Sequence, residues 1–134
     1  MKYIIVTGGA GFIGSNLIKS LSKNRDNKII SIDNYFTGSK KNHVKRNNVK
    51  YIDGDTKKIS KILKNLKKKI KVIFHFAEFS RIAQSFDNRN VCFQSNIIGS
   101  YEVINFCLQN KIKLIYSATS ASLGNNGLDQ NLSP

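Results

Sequence analysis

The residues best suited to chemistry begin at Thr7-Gly8-Gly9-Ala10-Gly11-Phe12-Ile13-Gly14. Bare backbone at three of these positions is what a pyrophosphate requires. Gly8 allows a tight turn, Gly11 lets the main chain approach the phosphates with no Cβ between them, and Gly14 lets the next helix pack closely. The free N–H groups and positive dipole end of that helix complete an anion site. The spacing is G-x-x-G-x-x-G, not the usual G-x-G-x-x-G. A carboxylate follows at Asp33, nineteen residues after Gly14. At the end of a second strand it can accept hydrogen bonds from both adenosine ribose hydroxyls and repel a 2′-phosphate. This points to NAD over NADP, although Lys40 and Lys41 follow closely and could receive a 2′-phosphate.

These groups need a scaffold. The β-branched run Tyr3-Ile4-Ile5-Val6 leads into the glycine turn, and a helix is predicted from about Phe12 to Lys23, with Ile13, Leu17, Ile18 and Leu21 facing the sheet. Further strands are predicted at 28–33, 49–53, 71–76 and 113–116. Between the first two of these runs a polar, basic connection with a Thr37-Gly38-Ser39 turn. From Thr56, read as an N-cap, Ile59, Ile62, Leu63 and Leu66 make an i, i+3, i+4, i+7 stripe on a lysine-rich helix. Asn88 to Asn110 reads as one long helix with a stripe at Ile97, Tyr101, Ile104 and Leu108, while Val91, Ile98 and Phe106 lie off it. A helix with a second apolar face is deeply buried or meets another subunit, so a homodimer through helix 88–110 is expected. Alternating strands and helices predict an α/β, Rossmann-like doubly wound parallel sheet of order 3-2-1-4-5, with right-handed crossovers.

With 134 residues and 40% hydrophobic content, one domain with a real core is expected. No apolar run is long enough to span a bilayer, and the chain starts directly on a strand, so neither membrane nor signal peptide is expected and the cytoplasm is the default. Cys92 and Cys107 lie on the same expected helix, about 22 Å apart along its axis, and read as thiols in a reducing compartment. No metal-ligand spacing occurs. The formal net charge is +14, and thirteen of the 22 Lys and Arg fall between Lys40 and Lys71. A basic stripe suits nucleic acid, but these lysines fall on the outer face of an expected helix with no interleaved aromatics. A solvated face is the preferred reading, and nucleic acid is not expected as a partner.

In an open α/β sheet the ligand crosses the C-terminal strand ends. Those ends carry Gly8 to Gly14, Asp33-Asn34, Asp53-Gly54-Asp55, His75-Phe76-Ala77 and Ser117-Ala118-Thr119. Asp55 could bond an adenine amino group, and Phe76-Ala77 could line the cofactor's path. His75 continues an apolar strand and is read as a core histidine, not a general base.

The opening Thr7 to Leu17 closely resembles the start of the extended short-chain dehydrogenases, the NAD-dependent nucleotide-sugar epimerase and dehydratase family. The similarity continues through Asp33-Asn34-Tyr35-Phe36-Thr37-Gly38, Asp53-Gly54-Asp55, His75-Phe76-Ala77, Asn96-Ile97-Ile98-Gly99-Ser100 and 115–124. It therefore covers essentially the whole chain. The resemblance implies that Phe12, Ile13, Asp33, Asn34, Thr37, Gly38, Asp55, Thr56, Phe76, Ala77 and Asn96 contact NAD. It implies that Thr119 is the catalytic hydroxyl on the reacting sugar oxygen, and that Ser80 and Ser85 lie near cofactor and substrate. Glu78 stands in place of a small residue, Ser80 where some epimerases carry Lys, and Leu123 where the family usually has Tyr.

The family's acid/base is a Tyr whose pKa is lowered by a Lys four residues later. Tyr3, Tyr35, Tyr51, Tyr101 and Tyr116 are followed at that distance by Thr7, Ser39, Asp55, Asn105 and Ser120. The resemblance thus implies the NAD-binding part of a sugar-nucleotide enzyme, C-terminally truncated before its acid/base and substrate domain, and inactive alone. The competing expectation is a non-catalytic dinucleotide-binding protein or subunit whose basic face docks an acidic partner.

Overall fold

A computed structural model describes residues 2–118 of the chain. Five parallel strands, β1 (Tyr3–Thr7), β2 (Lys28–Asp33), β3 (Val49–Asp53), β4 (Ile70–His75) and β5 (Lys113–Tyr116), form one sheet of order β3-β2-β1-β4-β5. This is the expected doubly wound order. The central strands are near-continuous runs of Ile and Val because both of their faces are covered. On one face Ile5, Ile30, Ile32 and Ile73 pack with Ile59, Leu63, Val103 and Phe106. On the other, Ile4, Val6, Ile29 and Val72 pack with Ile18. Successive residues of β1 thus feed opposite layers, as the strand period of two requires. Ser31 also faces inward, fully buried, and its hydroxyl has no hydrogen-bond partner among the described residues.

The helix after the glycine turn, α1, spans Phe12–Leu21, two residues shorter than its pattern suggested. Ile18 is fully buried on it, but Ile13 is 58% exposed and does not face the sheet as expected. It sits in the first turn, at the helix end that lines the open strand edge.

The lysine-rich stretch departs further from expectation. It is a 3-10 turn at Thr56–Lys58, a single helical turn α2 at Ile59–Ile62, and another 3-10 turn at Lys67–Lys69. The apolar stripe still docks, with Ile59 and Leu63 fully buried. Like charges three and four residues apart, such as Lys57, Lys61, Lys64 and Lys68, oppose a continuous helix. Nor is Thr56 the cap. Asp55 takes that place, its Oδ1 accepting from Lys57 N at 2.9 Å.

The expected long helix is present as one unbroken run that changes pitch in its middle, after a short turn α3 (Ile82–Ser85). It consists of α4 (Arg89–Phe93), a π-helical segment Gln94–Gly99, and α5 (Ser100–Asn110). Gly99 is the point of closest approach, since a Cβ there would overlap Thr56 Oγ1. Val103, Phe106 and Cys107 are the buried side of α5, and burial pushes the Cys107 thiol up to about 11. The stripe Ile97, Tyr101, Ile104 and Leu108 is the exposed side. Both cysteines are free thiols. Among the described residues no helix is long and apolar enough to cross a membrane, and no cluster of His, Cys, Asp and Glu could hold a metal ion.

Candidate functional site

The strands all end at one edge, which brings Thr7, Asp33, Asp53, His75 and Tyr116 together with the loops that follow them. The first loop is the glycine turn. Gly8 has φ +70°, and its N–H donates to Ile32 O at 2.8 Å, so the turn is tied to the neighbouring strand. A Cβ at Gly8 would lie 2.5 Å from Phe76 O. A Cβ at Gly14 would overlap Gly8 O and lie 2.8 Å from Gly9 Cα. These two glycines are demanded by the protein's own packing. Gly11 is different: its backbone is extended (φ −77°, ψ 176°), and a Cβ would meet only Gly8 O, at 3.2 Å. The other glycines of the turn are held to a bare Cα by far closer neighbours. Gly11 is also the N-cap of α1, with no side-chain cap, which leaves first-turn N–H groups for a ligand.

Asp33 faces this turn. It is 7% exposed, its Oδ2 accepts from Ala10 N at 2.9 Å and its Oδ1 from Tyr35 N at 2.8 Å. Each carboxylate oxygen keeps further lone-pair capacity. The following loop folds back onto the glycine turn: Ser39 N and Asn42 Nδ2 both donate to Ala10 O, at 3.1 and 2.8 Å. Tyr35 takes the left-handed conformation, φ +57°, that this reversal needs. Burial, then the charges of Asp33 and Asp53, raise its phenol pKa. Gly38 lies against the carboxylate, where a Cβ would be 2.9 Å from Asp33 Oδ1.

The loop after β4 closes the other side. Asn96, on the π-helical segment, holds Phe79 by both main-chain groups, accepting from its N–H at 2.6 Å and donating to its carbonyl at 3.0 Å. A buried polar chain runs behind this loop. Ser100 Oγ donates to Glu78 Oε1 at 3.0 Å, so it accepts from His75 Nε2, also at 3.0 Å. That fixes the proton on Nε2 and leaves Nδ1 to accept from Thr7 Oγ1 at 2.6 Å. His75 is fully buried. Desolvation lowers its pKa, with Glu78 pulling partly the other way. Tyr116 OH also donates to Glu78 Oε1, at 2.6 Å, and this bond, then burial, pushes its phenol up to about 12. His75 is thus a satisfied core residue, as expected, and Tyr116 is held as a neutral donor.

Most of the sequence-derived site residues line one groove with two adjoining hollows. Gly8, Gly11, Asp33, Asn34, Thr37, Gly38, Thr56, Phe76 and Ala77 line the first. Phe12, Ile13, Gly14 and Ser80 line the second. Two expected contacts stand back from it. Asp55 caps the turn at Thr56–Lys58 and lies 3.6 Å from Lys57 Nζ, and Asn96 is engaged with Phe79. Thr119 lies outside the described residues. Sequence reasoning missed Phe36, Phe79, Ser95 and Arg81 as lining residues, and Glu78 as one shared by both hollows. Two of these carried a signal, Phe36 by its place in the motif Asp33 to Gly38 and Glu78 as a charge in place of a small residue.

The sequence matches the NAD dependent epimerase/dehydratase family over residues 4–132. A curated relative, the dTDP-D-glucose 4,6-dehydratase of Dictyostelium discoideum, is 32% identical over 139 aligned residues, covering 98% of this chain and 32% of that protein. Among solved structures, a UDP-N-acetylglucosamine 4-epimerase from Methanobrevibacter ruminantium in complex with UDP-N-acetylmuramic acid superposes with a TM-score of 0.83 at 32% identity. The match covers 98% of this chain and 43% of that one. A Thermus thermophilus UDP-glucose 4-epimerase in complex with NAD superposes with a TM-score of 0.75 at 25% identity, over 88% of this chain and 38% of the other. The chain therefore spans well under half the length of these relatives.

Proposed function

The chain belongs to the NAD dependent epimerase/dehydratase family, and we propose on that premise that it is the NAD-binding portion of a nucleotide-sugar epimerase or dehydratase. The observation that carries this reading is Gly11. It is the one glycine of the turn whose bare Cα its own neighbours do not demand, and it faces Asp33 across a groove. Gly8, Gly11 and the first turn of α1 would hold the pyrophosphate. Asp33 would hold the adenosine ribose, with Asn34, Thr37 and Gly38 beside it. Phe12, Ile13, Phe76, Ala77 and Ser80 would line the path onward, and Asp55, Thr56 and Asn96 would act from its margin. NAD supplies the acceptor for a hydride from a sugar C–H. Thr119 is assigned to position the sugar oxygen.

These 134 residues contain no Tyr-x-x-x-Lys pair, and Tyr116, pushed up to about 12 by its bond to Glu78, is no substitute acid/base near neutral pH. By itself the chain is proposed to bind NAD without turnover, since a positioned acid/base contributes roughly 10²–10⁴-fold. Titration calorimetry with NAD and NADP is the test. Wild type should prefer NAD, and Asp33→Ala should lose at least about tenfold in NAD affinity, as expected for a charged hydrogen-bond partner. An unchanged affinity in Asp33→Ala would refute the site. Turnover of UDP- or dTDP-glucose at rates typical of complete enzymes would refute the inactivity. The exposed stripe Ile97, Tyr101, Ile104 and Leu108 supports a homodimer through this helix, and the free thiols suit a cytoplasmic setting.

A second reading, a dinucleotide-binding subunit that docks an acidic partner, has one observation in its favour. A cationic hollow at the opposite strand edge is lined by Lys23, Arg25, Lys28, Lys45 and Arg46.

A further inference from the structure

Among the described residues Glu78 is the one carboxylate in the groove besides Asp33, and it lines both hollows. Its Oε1 is fixed by two hydroxyl donors, Ser100 Oγ at 3.0 Å and Tyr116 OH at 2.6 Å. Ser100 is buried and is itself braced by His75, so the carboxylate is anchored to the core. Among the described residues Oε2 has no hydrogen-bond partner, and Arg81, in the second hollow, forms no ion pair with it. A half-buried carboxylate with one oxygen fixed and one free is an acceptor for hydroxyl groups. Its place in the groove identifies which ones. Strand order sets Asp33 at the end of β2, the glycine turn after β1 and Glu78 after β4, so the two carboxylates flank the turn, and Glu78 also borders the hollow lined by Phe12, Arg81 and Ser117.

We propose that Glu78 is a specificity-determining residue that accepts hydrogen bonds, through Oε2, from the ribose hydroxyls on the nicotinamide side of the dinucleotide, mirroring Asp33 at the adenosine side. The proposal rests on the reading of this groove as a dinucleotide site. A carboxylate here also disfavours any ligand that places a phosphate at the same point, so the pair Asp33 and Glu78 selects an unphosphorylated diol at each end of a central pyrophosphate.

The test compares ligands of increasing length on this 134-residue chain and on its Glu78→Gln variant, by titration calorimetry. Glutamine keeps an oxygen for Ser100 and Tyr116 but puts an amide donor where Oε2 was. ADP carries the adenosine ribose and the pyrophosphate only; ADP-ribose and NAD add the second ribose. Glu78→Gln should weaken ADP-ribose and NAD about tenfold, in keeping with one charge-assisted hydrogen bond, and leave ADP unchanged. Unchanged ADP binding also certifies that the variant is folded. Equal affinities for NAD in the two proteins overturn the proposal while leaving the site intact. Tighter binding of ADP and NAD alike also overturns it, since the carboxylate then only repels the pyrophosphate. Failure of wild type to bind ADP and NAD at all overturns the groove reading itself.

Discussion

The glycines of the first turn differ in what they face, and at Gly14 and Gly11 the difference can be measured. At Gly14 a Cβ would overlap Gly8 O and sit 2.8 Å from Gly9 Cα and 2.9 Å from Gly8 C. All are backbone atoms that cannot rotate aside, so Gly14→Ala must push α1 off the turn. Overpacking of this kind costs about 1–3 kcal/mol, and at roughly 4 °C per kcal/mol the midpoint should fall by about 4–12 °C. At Gly11 the backbone is extended and the added methyl meets only Gly8 O, at 3.2 Å. Removing a glycine from the unfolded chain is worth roughly 0.4–1 kcal/mol, which offsets that mild contact. Gly11→Ala should therefore melt within about 4 °C of wild type. Its methyl would stand where the phosphates approach, and NAD affinity should drop by at least about tenfold, one misfitted polar contact. Thermal unfolding and titration calorimetry on both variants give the answer. If Gly11→Ala binds NAD as wild type does, the groove does not hold the pyrophosphate at this turn. If it melts as low as Gly14→Ala, the separation of packing glycine from ligand glycine is wrong.

Two other outcomes are expected. His75 is buried and its pKa lies below the ordinary 6.5, so the unfolded chain binds more protons than the folded one as the pH falls through that value. Stability on this account is full above about pH 6.5 and lost below it, and thermal unfolding of His75→Gln between pH 7 and 5 should show a shallower decline than wild type; an equal decline would remove His75 as its source. Ser31 buries a hydroxyl with no partner among the described residues. Ser31→Ala should raise stability by about 1 kcal/mol, and a lower midpoint in a thermal melt would contradict this.

The sheet was readable because its signal is local and redundant. Ile4-Ile5-Val6, Ile29-Ile30 and Ile73 are apolar in runs that suit a strand covered on both faces, and the glycine turn and Asp33 stood out by their spacing together with the strands and helix around them. The lysine-rich stretch was not readable as secondary structure, because its apolar spacing fits a helix that its like charges oppose. Burial of Ile59 and Leu63 satisfied the pattern without one. Ile13 was misassigned for a related reason. Periodicity says which residues share a face, but not where the sheet beneath that face ends. The partners of Glu78 were beyond reach, since Ser100 and Tyr116 are 22 and 38 residues away and nothing local ties them together. Asp55 and Asn96 show the converse. Both were singled out as contacts, and both have their side chains engaged by the protein itself, one capping a turn and the other clamping Phe79.

The π-helical segment Gln94–Gly99 makes this region sensitive to length in a way that its composition conceals. A helix carries about 100° of rotation per residue, and a π-helical turn accommodates one residue more than the regular pitch. The extra residue is thus absorbed inside the segment, and Arg89–Phe93 and Ser100–Asn110 keep the phase that a regular helix one residue shorter would give them. Deleting one residue between Gln94 and Gly99 would close the bulge and leave Val103, Phe106 and Cys107 in the core. What the deletion changes is the inside of the segment, where Asn96 clamps Phe79 by both of its main-chain groups. The bulge therefore costs the fold little to lose, but the loop carrying Glu78 would lose its brace.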